Sequence, residues 1–289
     1  MFQDLLKSKI KSADEVAGWV NSGDVIDYGF GLTTSGVFDA ALAAQKDRLQ
    51  NVTVRGTLSI APQQVVEQDP EQQHFSFHNW HCSGYDRKKC ELGQMSYMPF
   101  NFGEGPAIYR QHLQADLLVL RTSPMDENGY FNFGVSNTYV RANCEVAEKI
   151  VVETSTTLPV CLGNDNTVHI SELAAVIEGD NAPLFELPSG KISDIDRKVA
   201  SYVVALIKDR SCLQIGIGGM PNAVCSALVT SDVKDLGIHT EMFVDSMVDL
   251  VEAGKVTGKY KQTYPEKITY TFALGSKKMY EFIHNNEVC

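Results

Sequence analysis

At 289 residues the chain has the length of about two ordinary domains. Its 44% hydrophobic and 21% charged residues are the shares of a soluble globular protein with a sizeable core, not of a disordered chain. Twenty-five basic against 36 acidic residues give a formal charge of −11, which argues against nucleic acid or an anionic membrane as partner. The start, MFQDLLKSKIKSADE, lacks the apolar stretch of a signal peptide, is too acidic for a transit peptide, and no later run approaches the ~18 apolar residues of a membrane span. A cytoplasmic location is the expectation. Cysteines 82, 90, 144, 161, 212, 225 and 289 are odd in number and form no C-x-x-C pair, which fits reduced, mostly buried thiols.

In chain order, Ser12 and Glu15 form a capping-box pattern ahead of Val16, Trp19 and Val20, so a short amphipathic helix is expected there. Residues 25–28 read as a strand, Gly29 and Gly31 as a turn, 37–44 as a helix, and NVTVRG (51–56) as the next strand. Residues 61–110 show little periodicity and many Gln, Gly, Pro and His, so long loops with short helices are expected. ADLLVLR (115–121) is a buried parallel strand by its continuous apolar run, and SPMDENG follows it as a turn. KIVVET (149–154) repeats the strand pattern. DNAPLFELPSGK (180–191) reads as a connection, dividing the chain into domains at 1–187 and 188–289.

Ser193 caps a predicted helix with Ile195, Val199, Tyr202, Val203 and Leu206 on one face. It feeds the most informative stretch, SCLQIGIGGMPNAVCSALVTSDVKDLGIHTEMFVD (211–245). A brief apolar run, 213–215, stops at Gly216, Gly218 and Gly219, and Pro221 opens a helical segment. Such a turn lets backbone approach a ligand, and free N–H groups at a helix start suit an anionic or carbonyl oxygen. A second run through Gly237 and Ile238 leads to Glu241, placing a carboxylate at the expected ligand-binding end of the next strand. Gly29, Gly31 and Ala41-Leu42 correspond in order to Gly216, Gly218 and Ala227-Leu228, which points to a duplicated strand-turn-helix unit. A helix at 247–251 and its stop at Gly254, a strand at 268–273 and a helix at 277–284 complete the reading.

Other chemistries find less support. Pro221 stands where a dinucleotide fingerprint needs its third glycine, and no Gly-Lys-Ser/Thr or G-x-S-x-G string occurs. His74, His78 and His81 beside Cys82 have the spacing of metal ligands but no fixed fourth carboxylate, so hydrogen-bonded loop histidines are expected and no metal. Cys225 falls where a helix would bury it.

GIGGMPNAV (216–224) followed by GIHTEMFVD (237–245) resembles the paired signature of the acetyl-CoA hydrolase and transferase family, which includes butyrate and 4-hydroxybutyrate CoA-transferases. HNWHCSGYDRK (78–88), SPMDENGYFNFG (123–134), HISEL (169–173) and FALGSKKMYEF (272–282) carry the likeness along the chain. The resemblance implies an α/β fold of two tandem open-sheet CoA-transferase-like halves, the second incomplete because family members continue further. It implies Glu241 as nucleophile and Gly216, Ile217, Gly218, Gly219 and Met220 as the substrate- or CoA-binding turn. Coenzyme A would be a substrate, with no permanently bound cofactor, and acyl-CoA and short-chain carboxylates (acetate, butyrate or 4-hydroxybutyrate) would be the partners. A homo-oligomer is compatible with it. A thioesterase using the same glutamate, and a non-catalytic fragment, are the alternatives. The turn at 216–220 is expected to face Glu241, and Gly219→Val to lower turnover more than stability.

Overall fold

The computed structural model describes residues 2–289. They form two compact units, one of residues up to Leu158 with Asn164–Leu184, the other of Pro159–Gly163 with Phe185–Cys289.

The first unit contains α1 (Phe2–Lys9), α2 (Ala13–Ala17), β1 (Val25–Phe30), α3 (Gly36–Ala44), β2 (Val52–Thr57), α4 (Gln64–Glu67), β3 (Phe75–Asn79), α5 (Gly84–Glu91), β4 (Ser96–Tyr97) and α6 (Gly105–His112). It continues with β5 (Ala115–Thr122), β6 (Tyr130–Asn132), α7 (Val140–Val146), β7 (Ala147–Thr154), β8 (Thr167–His169) and β9 (Ala175–Glu178). Seven strands form one parallel sheet in the order β4-β3-β2-β1-β5-β7-β9. The apolar run of β5 serves both faces of that sheet. Leu117 and Val119 join a core with Val16, Phe38 and Leu42 from the helices on one side, while Leu118 and Leu120 join Phe131, Val140 and Val168 on the other. Alternate side chains of a strand point to opposite faces, so a strand covered on both sides must be apolar throughout. The capping box at Ser12 and Glu15 forms as expected.

The region 61–110 departs from its reading as loops with short helices. It contributes β3 to the sheet, with Phe75 and Phe77 buried beside β2. The three histidines therefore flank or occupy a strand. His74 Nδ1 lies 2.8 Å from the Leu49 carbonyl oxygen, His78 Nε2 lies 3.3 Å from Ser76 Oγ, and the His81 ring meets Phe30 edge-on.

The second unit contains α8 (Asp194–Val204), β10 (Cys212–Leu213), α9 (Gly219–Val229), β11 (Gly237–Ile238), β12 (Met242–Phe243), α10 (Asp245–Glu252), β13 (Phe272–Ala273) and α11 (Lys277–Ile283). β10 pairs in parallel with β11, and β12 with β13. Parallel bridges at Leu236–Val256 and His239–Thr269 extend these short ladders. The segment 159–163 reaches this unit through Val160, whose N–H donates to His284 Nδ1 at 3.0 Å and whose carbonyl accepts from Asn285 at 2.8 Å. α8 is capped by Ser193 and Asp196 as expected, but its apolar face is not buried. Ile195, Val199 and Tyr202 lie exposed, as does Leu206 in the turn after the helix, and Ala200 is the helix residue packed inward.

Candidate functional site

β10 and β11 run in register, Cys212 beside Gly237 and Leu213 beside Ile238, a constant offset of 25 positions. Beyond the paired residues the same offset continues through side-chain chemistry. The Ile215 N–H donates to the Thr240 hydroxyl at 3.3 Å, and that hydroxyl lies 3.2 Å from the Ile215 carbonyl oxygen and 3.1 Å from that of Met242. Thr240 is buried, 5% exposed.

Glu241 is exposed and lies in a break of the strand, after β11 and before β12, rather than at a true strand end. Its carbonyl accepts from Thr271 at 3.0 Å and Phe272 at 3.2 Å, which ties its backbone to β13 while the side chain projects into solvent. Gly216, Ile217 and Met220 are likewise exposed. α9 starts at Gly219, two residues before the expected Pro221. Its N-cap, Gly218, has φ +120° and supplies no side-chain cap; that backbone conformation is open essentially to glycine alone. Amide groups at a helix start without an internal cap are suited to an anionic oxygen.

Gly219 serves packing. A Cβ there would stand 2.6 Å from the Lys191 carbonyl oxygen and 2.7 Å from Asp196 Oδ2, closer than atoms approach. This reverses the expectation for Gly219→Val: the first loss is stability, because the added atoms meet backbone that cannot swing away.

A cavity of about 380 Å³ opens beside the turn, between the 187–192 segment, α9 and α10. Ile217 and Gly218 line it; Gly216, Gly219, Met220 and Glu241 do not. Its polar walls are Ser189, Asn222, Ser226, Asp245, Ser246 and Asp249, with no lysine or arginine, so it does not suit the phosphates of a nucleotide. Asp245 is already engaged, accepting from the Ser276 N–H at 2.9 Å and from the Ser276 hydroxyl. Cys225 on the cavity's helix is buried, and that burial pushes its thiol up to about 11, which leaves it protonated and a poor nucleophile near neutrality. Among the described residues no group of three His, Cys, Asp or Glu is placed to hold a metal ion, and no helix is long and apolar enough to cross a membrane. Thr240 escaped the sequence reading, since its role appears only once the register of two strands is known.

Residues 3–187 match the acetyl-CoA hydrolase/transferase N-terminal domain. Over its full length the chain is 40% identical to the butyryl-CoA:acetate CoA-transferase of Anaerostipes caccae and spans 65% of that protein. It is 29% identical to the 4-hydroxybutyrate coenzyme A transferase of Clostridium kluyveri, with 99% of this chain and 66% of that one aligned. The solved 4-hydroxybutyrate CoA-transferase of Porphyromonas gingivalis superposes with a TM-score of 0.85 at 32% identity, covering 100% of this chain and 68% of its own. The chain thus spans about two thirds of the length of these relatives, and the second of its two α/β halves is incomplete beside theirs. On the domain match and on these likenesses, the chain belongs to the acetyl-CoA hydrolase/transferase family.

Proposed function

We propose that this chain carries the acyl-transfer glutamate and oxyanion-binding turn of a CoA-transferase acting between a short-chain acyl-CoA and a carboxylate such as acetate, butyrate or 4-hydroxybutyrate. The names of the relatives, transferases for butyryl-CoA with acetate and for 4-hydroxybutyrate, support the substrate class. The observation that carries the reading is the parallel pairing of β10 with β11, with the Thr240 hydroxyl on the Ile215 backbone, since one strand leads into the Gly216 turn and the other toward Glu241.

In this reading the Glu241 carboxylate attacks the thioester carbonyl carbon, the C–S bond breaks, and CoA thiolate leaves a mixed anhydride on the enzyme. The thiolate then attacks the glutamyl carbonyl and expels the donor's carboxylate, giving a glutamyl-CoA thioester. The acceptor carboxylate attacks that thioester and the two steps run in reverse, so that acyl-CoA leaves and the glutamate is free again. Amides at the start of α9 stabilise the oxyanion that develops at each attack; loss of one such donor typically costs ~3 kcal/mol. The domain assignment follows the same reading, with residues 188–289 carrying the nucleophile and residues 1–187 forming an N-terminal α/β domain. Coenzyme A enters as a substrate. A hydrolase is the competing outcome, and a specific observation favours it for this chain: Glu241 is exposed, and an anhydride survives only where water is kept out.

The test is chemical trapping. Incubation with butyryl-CoA followed by borohydride should convert Glu241 to the corresponding alcohol, detected by the mass of its tryptic peptide, and Glu241→Ala should show no such conversion. In an active assembly containing the chain, Glu241→Asp should lose about a hundredfold in transfer rate, because one methylene withdraws the carboxylate by about an ångström. An unmodified Glu241 during active turnover would reject the covalent route. Thioester loss that is independent of added acetate would identify a hydrolase.

A further inference from the structure

Gly237 leaves a gap on β11 that two reactive side chains share. It pairs with Cys212 across the parallel ladder, and a Cβ added to it would stand 2.7 Å from Lys261 Cγ, 3.2 Å from Lys261 Cδ and 3.3 Å from Cys212 Sγ. Glycine at 237 therefore lets the lysine stem lie across β11 close to the point that the cysteine sulfur also reaches. A second contact fastens the two segments together. The guanidinium of Arg210, two residues before Cys212, sits 4.2 Å from the ring centre of Tyr260, the residue before Lys261, as a cation–π pair.

The two nucleophiles are exposed in opposite degree. Cys212 is a free, exposed thiol. Lys261 is 7% exposed, and its Nζ donates to the Thr269 hydroxyl at 2.8 Å and to the Lys267 carbonyl oxygen. Both acceptors are neutral, and among the described residues no carboxylate pairs with this ammonium. Burial without a counter-charge disfavours the charged form. It holds Lys261 below the usual lysine range, while the Cys212 sulfur pulls it back up. A desolvated lysine is an amine able to act as a nucleophile near neutrality, but at this depth it cannot meet a bulky thioester directly. The exposed sulfur beside it can. Neither residue lines the cavity beside the Gly216 turn.

We infer that Cys212 and Lys261 form an acyl-acceptor pair, a modification site for the acyl group of an acyl-CoA. The Cys212 thiolate attacks the thioester carbonyl, the C–S bond to CoA breaks, and the departing CoA thiolate takes up the proton that Cys212 gave up. The neutral Lys261 Nζ then attacks the Cys212 thioester. That C–S bond breaks, an amide forms, and the proton lost by nitrogen returns to the cysteine sulfur. The net change is one acyl amide on Lys261 and one free CoA thiol, with no oxidant or other co-reactant. Arg210, which is exposed, offers a cation to the phosphates of CoA beside the thiol. An amide nitrogen carries a single hydrogen where an ammonium carries three, so the acylated side chain gives up at least one of its bonds to Lys267 and Thr269. Thr269 bridges His239 and its carbonyl accepts from the Thr240 N–H at 2.9 Å, which puts the lost bond one strand contact away from the segment leading to Glu241.

The pair needs from the proposed function only that the chain meets acyl-CoA, and its test is separate from that of the glutamate. The 289-residue chain is incubated with butyryl-CoA, and peptide masses are followed in time with and without hydroxylamine, which cleaves thioesters and spares amides. A hydroxylamine-labile butyryl group should appear first on Cys212 and a stable one then on Lys261, about tenfold or more faster than on the exposed Lys277, the gain expected when transfer is intramolecular. Cys212→Ala, at an exposed position, should melt as the parent chain does and lower Lys261 butyrylation to the rate at Lys277. Lys261→Arg should leave the label on Cys212; if that variant fails to fold, the order of labelling in the parent chain reads the same transfer. Glu241→Ala should leave both labels unchanged, so failure of the glutamate route and failure of this pair are told apart. Lys261 butyrylation that persists in Cys212→Ala, a Cys212 label that never moves to Lys261, or no label on either residue would each overturn the assignment.

Discussion

α3 and α9 begin in related ways, each after a parallel strand and a glycine-containing turn, yet the two helix starts are treated in opposite fashion. At α3 the positive end of the helix is filled from within. Glu153, on β7, accepts from the Val37 N–H at 3.1 Å, the Phe38 N–H at 3.2 Å and the Ser35 hydroxyl. Burial pushes the Glu153 carboxyl upward, while these donors and nearby Arg121 pull it down. α3 is fastened a second time by Asp39, which accepts from the Tyr28 hydroxyl and the Gln64 N–H and is pushed up to about 6 by its burial. At α9 no side chain caps the start, and Gly216 and Ile217 before it are exposed. One helix start has been turned into scaffold by a carboxylate that occupies its anion site; the other has no such side chain on it. Helix N-termini are equally suited to either use, so the chemistry of a site follows from what else reaches it, not from the glycine turn alone.

Removing the internal cap is the largest test of that contrast. Glu153→Ala strips three donors of their acceptor in a buried setting, where each unpaired group costs about 1–3 kcal/mol. A loss of roughly 3 kcal/mol or more is expected in urea unfolding of the first unit, whereas Glu153→Gln, which keeps a carbonyl oxygen in place, should recover most of it. If alanine is tolerated within about 0.5 kcal/mol, ordered water replaces the carboxylate and the two helix starts are less different than their contacts imply.

Gly219→Ala probes the other helix start and should have the next effect, about 1–3 kcal/mol of stability, because the new methyl meets the Lys191 carbonyl and Asp196. The folded fraction should keep normal trapping of Glu241. A variant with unchanged melting and diminished trapping would restore the glycine to a role in the substrate site.

How much of this was legible beforehand depends on whether the cause was local. The capping box at Ser12 and the cap at Ser193 are set by residues three apart and formed as read, the latter completed by Asp196. The strands at 115–122 and 147–154 announced themselves because both faces of the sheet are covered. β3 was missed because Phe75 and Phe77 are its only large apolar residues on the core side, and the Gln- and His-rich flanks hide a two-residue alternation. The apolar stripe of α8 was read as one face of a helix, and its exposure was not legible, since periodicity marks which side is apolar and says nothing of what covers it. Glu153 lies 118 positions from Ser35, and no spacing rule links them. Glu241 itself stood out in the sequence as a carboxylate after a strand, but its designation as nucleophile rested on resemblance.

Thr240 is the finest point of the comparison, because it does by hydroxyl what backbone pairing does elsewhere in the sheets. β10 is two residues long, too short to hold the turn that follows it, and the Thr240 hydroxyl continues the ladder by bridging the backbone of Ile215. Thr240→Val keeps the shape and removes that bridge, leaving the buried Ile215 backbone unpaired at that point, so about 1 kcal/mol should be lost. Thr240→Ser keeps the hydroxyl and gives up a methyl, a change worth about 0.8 kcal/mol of burial. Stability alone therefore separates the two poorly, and the trapping yield at Glu241 is the discriminating measurement. If the hydroxyl sets the distance between the Gly216 turn and the carboxylate, valine should lower the yield and serine restore it, at similar melting temperatures. If instead serine traps as poorly as valine, the methyl is what matters, and the register between β10 and β11 is held by packing rather than by the bridge.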